Sequence, residues 1–248
     1  MIESDTEKCS DKGAAGTMDR NKNISVRENF IRTIENKILS GELEIGQQLP
    51  TARELCRQMG VSLTIVNAGI SELAAKGFVE VKPRHGMYVA DYKLHGTTET
   101  LVAIMRYNGG KLSDHDIRSY CESRCAIDPF VVKLVIERAN REQLRELGLR
   151  LDKLLKAQDM EECCDSITDF FNLMYFLSDN TFFSLIYNST IKPQKEMYAM
   201  FIRKNGAGPI KENAQKIYDC ICRGDAEAAV KESVHAMELA TSGSTSII

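Results

Sequence analysis

The chain has 248 residues and a formal net charge of −3, and 43% of its residues are hydrophobic. This length suits two domains, each large enough to bury its own core. No run of apolar residues reaches membrane-spanning length, and the first residues are polar and charged instead of forming a signal-peptide core. We therefore expect a cytoplasmic protein with no membrane partner.

The first predicted elements are a disordered arm and a helix. Residues 1–20 are rich in Ser, Asp, Lys and Gly, a composition typical of disorder. Ser25 and Glu28 have the spacing of a capping box, so a helix is expected to begin there. Four apolar residues at helical spacing form its inner face: Phe30, Ile31, Ile34 and Ile38.

A helix-turn-helix is predicted next. A second capping box at Thr51 and Glu54 begins a short helix, and Gly60 supplies the left-handed conformation that ends it. Ser62 can cap another helix, which is expected to end at Gly77. The second helix of such a pair normally enters the major groove of DNA.

A β-hairpin is predicted to follow. Beyond Gly77 the apolar residues alternate as in strands, on both sides of the turn sequence at residues 83–86. Together with the three helices, this hairpin predicts a winged helix-turn-helix domain over residues 21–92.

These segments resemble the GntR family of winged-helix transcription regulators. The matching residues are Gly46, Leu49, Pro50, Arg53, Glu54, Leu55, Gly60, Val61, Ser62, Val66, Leu73, Gly77, Arg84 and Gly86. Leu63 and Asn67 depart from the pattern, because the family usually has arginine at both positions. The resemblance implies a DNA-binding regulator whose affinity is weaker, or whose operator differs, through the loss of these two cations.

Four residues are predicted to contact the DNA backbone or the minor groove. Arg53 on the first helix of the pair, and Lys82 and Arg84 on the wing, can reach phosphates, which supply affinity but little sequence information. His85 at the wing tip could enter the minor groove. For each residue taken singly, a merely solvated surface is the alternative.

Three residues of the second helix are predicted to read bases. Ser62, Thr64 and Asn67 face the same way, and the side-chain amide of Asn67 offers the donor and acceptor that suit adenine. The expected partner is a double-stranded operator.

From about Thr97 onward the pattern is helical throughout. Capping residues at Ser113 and Asn140, and prolines at 193 and 209, indicate six or seven helices. The predicted fold class is therefore mainly α: an N-terminal winged helix-turn-helix and a C-terminal all-helical bundle over residues 93–248. Such a bundle can enclose a ligand pocket between its helices.

Two charged residues interrupt an apolar stripe in the helix after Ser113. Arg124 and Asp128 continue the spacing of Ile117 and Cys121, and a buried charge is costly unless it is paired. One interpretation is an internal ion pair with a structural role. The other is an arginine that receives an anionic ligand, because its planar fork matches a carboxylate.

The helical part resembles the effector domain of the fatty-acid-regulator (FCD-type) branch of the GntR family. The matching segments are Glu122-x-Arg124, residues 127–129, residues 137–140, Leu144, residues 178–180 and residues 224–229. In that branch the arginine at the position of Arg124 commonly lines the ligand cavity, and effectors are often small carboxylates. The resemblance implies that Arg124 belongs to an effector site, and we predict that Asp128, one helical turn away, belongs to it as well. Residues 93–248 are also expected to hold a homodimer together.

Many members of this branch bind a divalent metal through an Asp-x-x-x-His pair and two later histidines. The first pair aligns with Thr168 and Asn172, the next histidine falls near Asn213 or Ala214, and only His235 lies near the last position. The chain has four histidines, and only His115 and His235 lie beyond Thr97, where the helical pattern begins. We therefore expect no metal or other cofactor. Asn172 and His235 are instead predicted to bind the organic effector, with a purely structural His235 as the alternative.

Two alternative functions remain at this stage. The eight cysteines lack zinc-type spacing and are expected to be reduced. Cys121 and Cys125 share a helix face, which leaves thiol-based redox sensing open beside a role as small buried hydrophobic residues. The second alternative function is a helical-bundle enzyme, but the chain has no Gly-rich phosphate loop, nucleophile elbow or His-Glu-x-x-His sequence.

The sequence as a whole predicts a ligand-responsive transcription regulator, not an enzyme. Two copies would bind a palindromic operator with their recognition helices about one DNA turn apart. A small metabolite, anionic in our interpretation, would bias a conformational equilibrium and so change the affinity for DNA.

Overall fold

The computed structural model describes residues 24–248, so the arm predicted over residues 1–20 lies outside the described residues. The described part contains twelve helices and one two-stranded antiparallel sheet. The predicted fold class, a winged helix-turn-helix followed by an all-helical region, is confirmed. No helix within residues 24–248 is both long and apolar enough to cross a lipid bilayer.

Three helices build the N-terminal core: α1 (Val26–Leu39), α2 (Ala52–Met59) and α3 (Leu63–Ala75). The capping box predicted at Thr51 is complete, because the Thr51 hydroxyl accepts from the Glu54 amide and the Glu54 carboxylate accepts from the Thr51 amide at 2.8 Å. At Ser25 only the hydroxyl half of the predicted box forms. The Glu28 carboxylate accepts instead from Arg32 Nε at 2.6 Å.

Helix α3 packs closely against α1. Gly69 makes this possible, because a Cβ atom there would lie 2.4 Å from the ring of Phe30, which is itself buried. Val66, Ile70 and Leu73 fill the same face of α3 and are buried. One face of α3 is therefore buried in the core, and the other is exposed to solvent.

The wing follows α3 as predicted. Strand β1 (Val79–Lys82) pairs antiparallel with β2 (Gly86–Val89) in a register that places Val79 opposite Val89. The segment before α2 runs along the other edge of β2, where the Leu49 amide donates to the Met87 carbonyl at 2.8 Å. Two helices come next: α4 (Tyr92–His95) and α5 (Thr98–Tyr107).

Helix α5 contacts both halves of the chain. Ala103 belongs to the N-terminal core, whereas Met105 packs in a cluster with residues of the C-terminal bundle. Arg106 pairs with the fully buried carboxylate of Glu35 on α1, and Lys76, at the end of α3, lies 3.2 Å from the same carboxylate. The predicted domain boundary after residue 92 stays a prediction.

The C-terminal bundle contains seven further helices: α6 (Asp114–Arg138), α7 (Arg141–Lys156), α8 (Met160–Leu177), α9 (Thr181–Ser189), α10 (Ile191–Asn205), α11 (Gly208–Arg223) and α12 (Ala226–Thr241). With α5, residues 97–248 hold eight helices, one more than the upper limit of the prediction. The additional helix is α9, because the proline at 193 already indicated the start of α10 and lies in its first turn. The two helices separate at Thr190. There the backbone leaves helical geometry (φ −106, ψ 8) and the Thr190 hydroxyl donates to the Ile186 and Tyr187 carbonyls.

Candidate functional site

The N-terminal half of α3 presents an open face. Ser62 caps the helix, and Ser62, Thr64 and Asn67 are all exposed, whereas Val66 and Ile70 point into the core. Residues three positions apart share a helix face, so Thr64 and Asn67 lie side by side. The three residues predicted to read bases are therefore on one accessible surface.

The wing tip is exposed and held in place. Lys82, Arg84 and His85 are exposed, and Arg84 adopts a left-handed conformation with φ 65. Gln48 Nε2 and the Tyr88 hydroxyl both donate to the His85 carbonyl, at 3.0 and 3.1 Å. Sequence reasoning missed these two anchoring residues. Only the strand alternation could have indicated that Tyr88 faces outward.

Lys82 and Arg53, which are also predicted to bind phosphates, differ in whether their charge is already paired within the protein. Lys82 Nζ lies 3.2 Å from Glu80, so part of its charge is already compensated within the wing. Arg53 is exposed on the first turn of α2. The backbone of Leu49, just before α2, is hydrogen-bonded to β2. The same short segment therefore connects Arg53 to the wing.

A cavity of about 70 Å³ lies among α6, α8, α10, α11 and α12. One water needs about 10–15 Å³ of such space, so the cavity has room for roughly five waters or a small organic acid. Its walls are mainly apolar, and Ile247, which follows α12, forms part of one wall. The polar side chains on the wall are Tyr120, Arg124, Tyr198 and Asn213.

Arg124 and Asp128 form the ion pair that was one of the two interpretations. Arg124 Nε lies 2.9 and 2.8 Å from the two carboxylate oxygens of Asp128, and both residues are buried. The hydroxyl of Tyr175 also donates to this carboxylate. Since Arg124 lines the cavity as well, the pair does not remove the second interpretation, which stays a prediction.

Arg124 keeps unused hydrogen-bonding capacity. Its Nη1 donates to the Tyr120 hydroxyl at 2.9 Å. Its buried Nη2 lies 2.8 Å from an Asp128 oxygen but makes no hydrogen bond of acceptable geometry within the described residues. The buried hydroxyl of Tyr198 lies near Arg124 and Tyr187 but likewise makes no hydrogen bond of acceptable geometry within the described residues. Two donors at one cavity are thus available to an acceptor.

The environment keeps Arg124 charged. Burial is the largest single effect and disfavours the charged guanidinium, but the Asp128 carboxylate and the surrounding tyrosine hydroxyls together raise the pKa of Arg124 well above its ordinary value. Four aromatic rings also surround the guanidinium carbon at 5.0–5.9 Å from their centroids, a cation–π arrangement. These rings belong to Tyr120, Phe171, Tyr175 and Tyr187.

Asn172 and His235 are not brought to the cavity, which corrects their expected position. Phe171 and Ala236 line the cavity, so Asn172 and His235, each one residue away along a helix, are turned to a different face. Asn172 donates to Asn188 near the surface, and the His235 side chain is 51% exposed, 3.9 Å from Glu238. Tyr198 and Asn213, which were not predicted from the sequence as site residues, line the cavity instead.

The side chains at the metal positions of the FCD-type branch do not fit a divalent metal. Thr168 donates to the Cys164 carbonyl at 2.7 Å, and Asn213 donates to the Glu232 carbonyl at 3.0 Å. Over residues 24–248, no group of three or more His, Cys, Asp or Glu side chains could hold a metal ion. A site for such a metal therefore cannot be assembled from these donors.

The thiols of Cys121 and Cys125 are in an unfavourable environment for redox chemistry. Burial raises the pKa of Cys121 to about 11 and also raises the pKa of Cys125. Because the thiolate is the reactive form, both groups are poor nucleophiles at neutral pH. This environment favours their interpretation as small hydrophobic residues.

Comparison with known proteins agrees with this architecture. Residues 27–89 match the family model described as bacterial regulatory proteins, gntR family, and residues 120–238 match the FCD domain. A solved structure of Lar, described as controlling the expression of the Listeria monocytogenes agr system, is similar with a TM-score of 0.57. That similarity has 19% identity and covers 88% of this chain and 95% of the Lar chain.

Curated relatives cover nearly the whole chain. The HTH-type transcriptional regulator Mce2R of Mycobacterium tuberculosis is 29% identical over 231 residues, 90% of this chain and 93% of Mce2R. The HTH-type transcriptional regulator LutR of Bacillus subtilis is 23% identical and covers 83% of this chain and 96% of LutR. With the winged helix, the helical bundle and both family matches in place, the chain belongs to the GntR family of bacterial regulatory proteins and is a transcriptional regulator with an FCD domain.

Proposed function

We propose that this regulator binds a palindromic operator as a homodimer and is gated by a small carboxylate in the cavity beside Arg124. The observation that carries the proposal is the open face of α3 next to an anchored wing. A helix with one buried and one exposed face can enter the major groove without unfolding any part of the domain. A regulator of this kind acts on the chromosome, in keeping with the cytoplasmic location expected from the sequence.

On DNA, the residues divide into two groups. Arg53, Lys82 and Arg84 bind phosphates and fix the orientation of the domain. On α3, Ser62, Thr64 and Asn67 read base edges, and His85 enters the adjacent minor groove. Leu63 joins the second group, because its side chain is 47% exposed at the first turn of α3 and an apolar side chain there can contact the methyl group of thymine.

A single winged helix contacts only one half-site, so palindromic recognition requires two copies. Two recognition helices related by a two-fold axis read two half-sites about 34–36 Å apart. The relatives named as transcriptional regulators favour such a DNA-binding role over a helical-bundle enzyme.

The effector is a small organic acid with an apolar body. The cavity wall is mainly apolar, and the free donors of Arg124 and Tyr198 suit the oxygen atoms of one carboxylate. Asp128 already neutralises the charge of Arg124. A ligand carboxylate would therefore bind the same guanidinium group beside Asp128, and not an arginine without a counter-charge. Binding there rearranges helix packing and changes the population of the DNA-binding state.

The DNA proposal is tested by selecting bound duplexes from a random library and then measuring affinity for the selected sequence. The variant Asn67→Ala is expected to lose about 1–3 kcal/mol of binding free energy and to relax base preference at one position. Arg84→Ala should weaken binding evenly for all sequences and reduce its salt dependence.

Asn29→Ala is the matched control for Asn67→Ala, because Asn29 is an exposed asparagine of α1. It should leave affinity and base preference unchanged. If the library yields no preferred sequence at modest ionic strength, the proposal fails.

The effector proposal is tested by a thermal-shift screen of monocarboxylic acids and 2-hydroxy acids, each with and without a chelator. Tyr198→Phe removes only the unpartnered hydroxyl, so the free protein is expected to keep its melting temperature while the shift caused by an active acid falls. Tyr107→Phe, a partly exposed tyrosine outside this cavity, is the control. An undiminished shift in Tyr198→Phe, or a shift that the chelator abolishes, would contradict the proposed site.

A further inference from the structure

Helix α9 carries the most exposed large apolar side chain of the described residues, and several others surround it. We call this surface the α9 face and define it by five side chains. With their exposed fractions, these are Phe182 (77%), Phe176 (64%), Leu185 (60%), Phe130 (54%) and Ile186 (45%).

The five side chains belong to one region of the bundle. Phe130 on α6 packs edge-on against Phe183 of α9, with ring centroids 6.0 Å apart. The Ser184 hydroxyl of α9 donates to the carbonyl of Tyr175, the residue before Phe176, at 3.3 Å. Helix α9 therefore lies against the end of α8 and beside α6, with Phe182, Leu185 and Ile186 on its outer side.

The α9 face is also free of charge. Helix α9 (Thr181–Ser189) contains no Asp, Glu, Lys or Arg, although 27% of the whole chain is charged. Depletion of charge and enrichment of aromatic residues are the compositional features of the core of a protein–protein interface. A monomeric protein rarely exposes a contiguous apolar patch larger than a few hundred Å².

The size of the α9 face suits a stable interface. With about 200 Å² for a fully exposed aromatic side chain, and somewhat less for Leu and Ile, the five residues expose about 550 Å². A standard interface buries about 800 Å² on each partner. The five side chains thus supply roughly two thirds of one side, and the polar residues around them can supply the rest.

We propose that the α9 face is the surface through which two copies of this chain pair. The inference rests on the proposed function, which requires two copies on a palindromic operator. A two-fold axis brings the same patch of both copies together. An uncharged patch can meet itself without like-charge repulsion, so its composition favours a second copy over a charged partner.

Sedimentation velocity of the full chain, over a range of protein concentrations, tests this pairing. The wild type should be a dimer at micromolar concentration. Leu185→Glu, which places a carboxylate in the apolar patch of each copy, should raise the dissociation constant at least roughly 30- to 100-fold. Phe182→Ser, which removes a ring without adding charge, should weaken pairing in the same direction. Circular dichroism checks that each variant is folded.

Leu149→Glu is the matched control, because Leu149 on α7 is a leucine with 51% exposure outside the α9 face. It should remain a dimer. The inference is overturned if Leu185→Glu and Phe182→Ser stay dimeric, or if the wild type is monomeric at every concentration. It is also overturned if a monomeric wild type binds phosphatidylcholine vesicles through this face.

Gel shifts with a half-site duplex separate failure of this inference from failure of the DNA proposal. A monomeric Leu185→Glu variant should keep wild-type affinity for the half-site and lose the additional affinity for the full palindrome. If the wild type binds neither duplex but Leu185→Glu still dissociates the dimer, the DNA proposal fails and the α9 pairing stands.

Discussion

Replacing Asp128 with alanine is expected to lower the free energy of unfolding by about 3–5 kcal/mol. The substitution leaves the Arg124 guanidinium buried without its counter-charge and removes the acceptor of the Tyr175 hydroxyl. Urea denaturation, followed by circular dichroism, measures the loss. The double variant Arg124→Met with Asp128→Leu should recover most of it, because a buried ion pair can be replaced by apolar side chains of similar volume.

The control for this experiment is an exposed ion pair of the same spacing. Glu212 and Lys216 lie 2.9 Å apart, four residues apart on α11, and both are in solvent. Glu212→Ala should leave the denaturation midpoint unchanged, since exposed pairs contribute little. If Asp128→Ala unfolds no more easily than Glu212→Ala, Arg124 has another source of compensation.

The variant Arg106→Met is expected to bind DNA but to lose the effect that a bound ligand has on its affinity for DNA. Arg106 on α5 and Lys76 at the end of α3 share the fully buried carboxylate of Glu35. Without Arg106 this carboxylate keeps one partner, so the free energy of unfolding should fall by about 2–3 kcal/mol, less than for a fully unpaired charge because Arg106 itself is partly exposed.

The functional result of Arg106→Met follows from the position of α5. This helix is in contact with the N-terminal core and with the bundle, and Arg106 ties it to α1 of that core. We expect the variant to bind DNA and an active acid separately, while the acid no longer changes the affinity for DNA. Coupling between two sites is a free-energy difference, and it is measured by titrating the operator at several acid concentrations.

Two further variants complete the Arg106 experiment. Glu35→Gln combined with Arg106→Met should restore stability but not coupling, because the buried charge is gone and the connection is still missing. Arg32→Met removes an arginine that pairs within α1 and should retain both stability and coupling. If the acid still changes the operator affinity of Arg106→Met as much as it does for the wild type, Arg106 is not required for the coupling.

Features set by neighbours in the chain were predictable from the sequence. The capping box at Thr51 and the left-handed Gly60 involve residues only a few positions apart, and both are present. The spacing of Arg124 and Asp128 was enough to predict burial within an apolar stripe, and both are buried. For the same reason the open face of α3 followed from its helical period.

Features made by distant residues were not predictable. Tyr198 and Asn213 reach the cavity because α10 and α11 pack beside α6, which no local pattern specifies. Glu35 looked like an ordinary charged residue of α1, yet its partners lie 41 and 71 residues further along the chain. Asn172 was assigned from an alignment position alone, and the direction of its side chain depends on how α8 is rotated.

The close contact between Gly69 and Phe30 has a consequence for how this regulator can change. Every inward position of α3 is fixed by packing, while the outward positions 63, 64 and 67 touch nothing that the fold needs. Under the DNA-binding mode proposed above, mutations at these positions that retarget the protein to a new operator therefore carry little penalty in stability. During evolution, paralogues can diverge in the genes they control while keeping the same scaffold, and a designer can randomise those three codons alone.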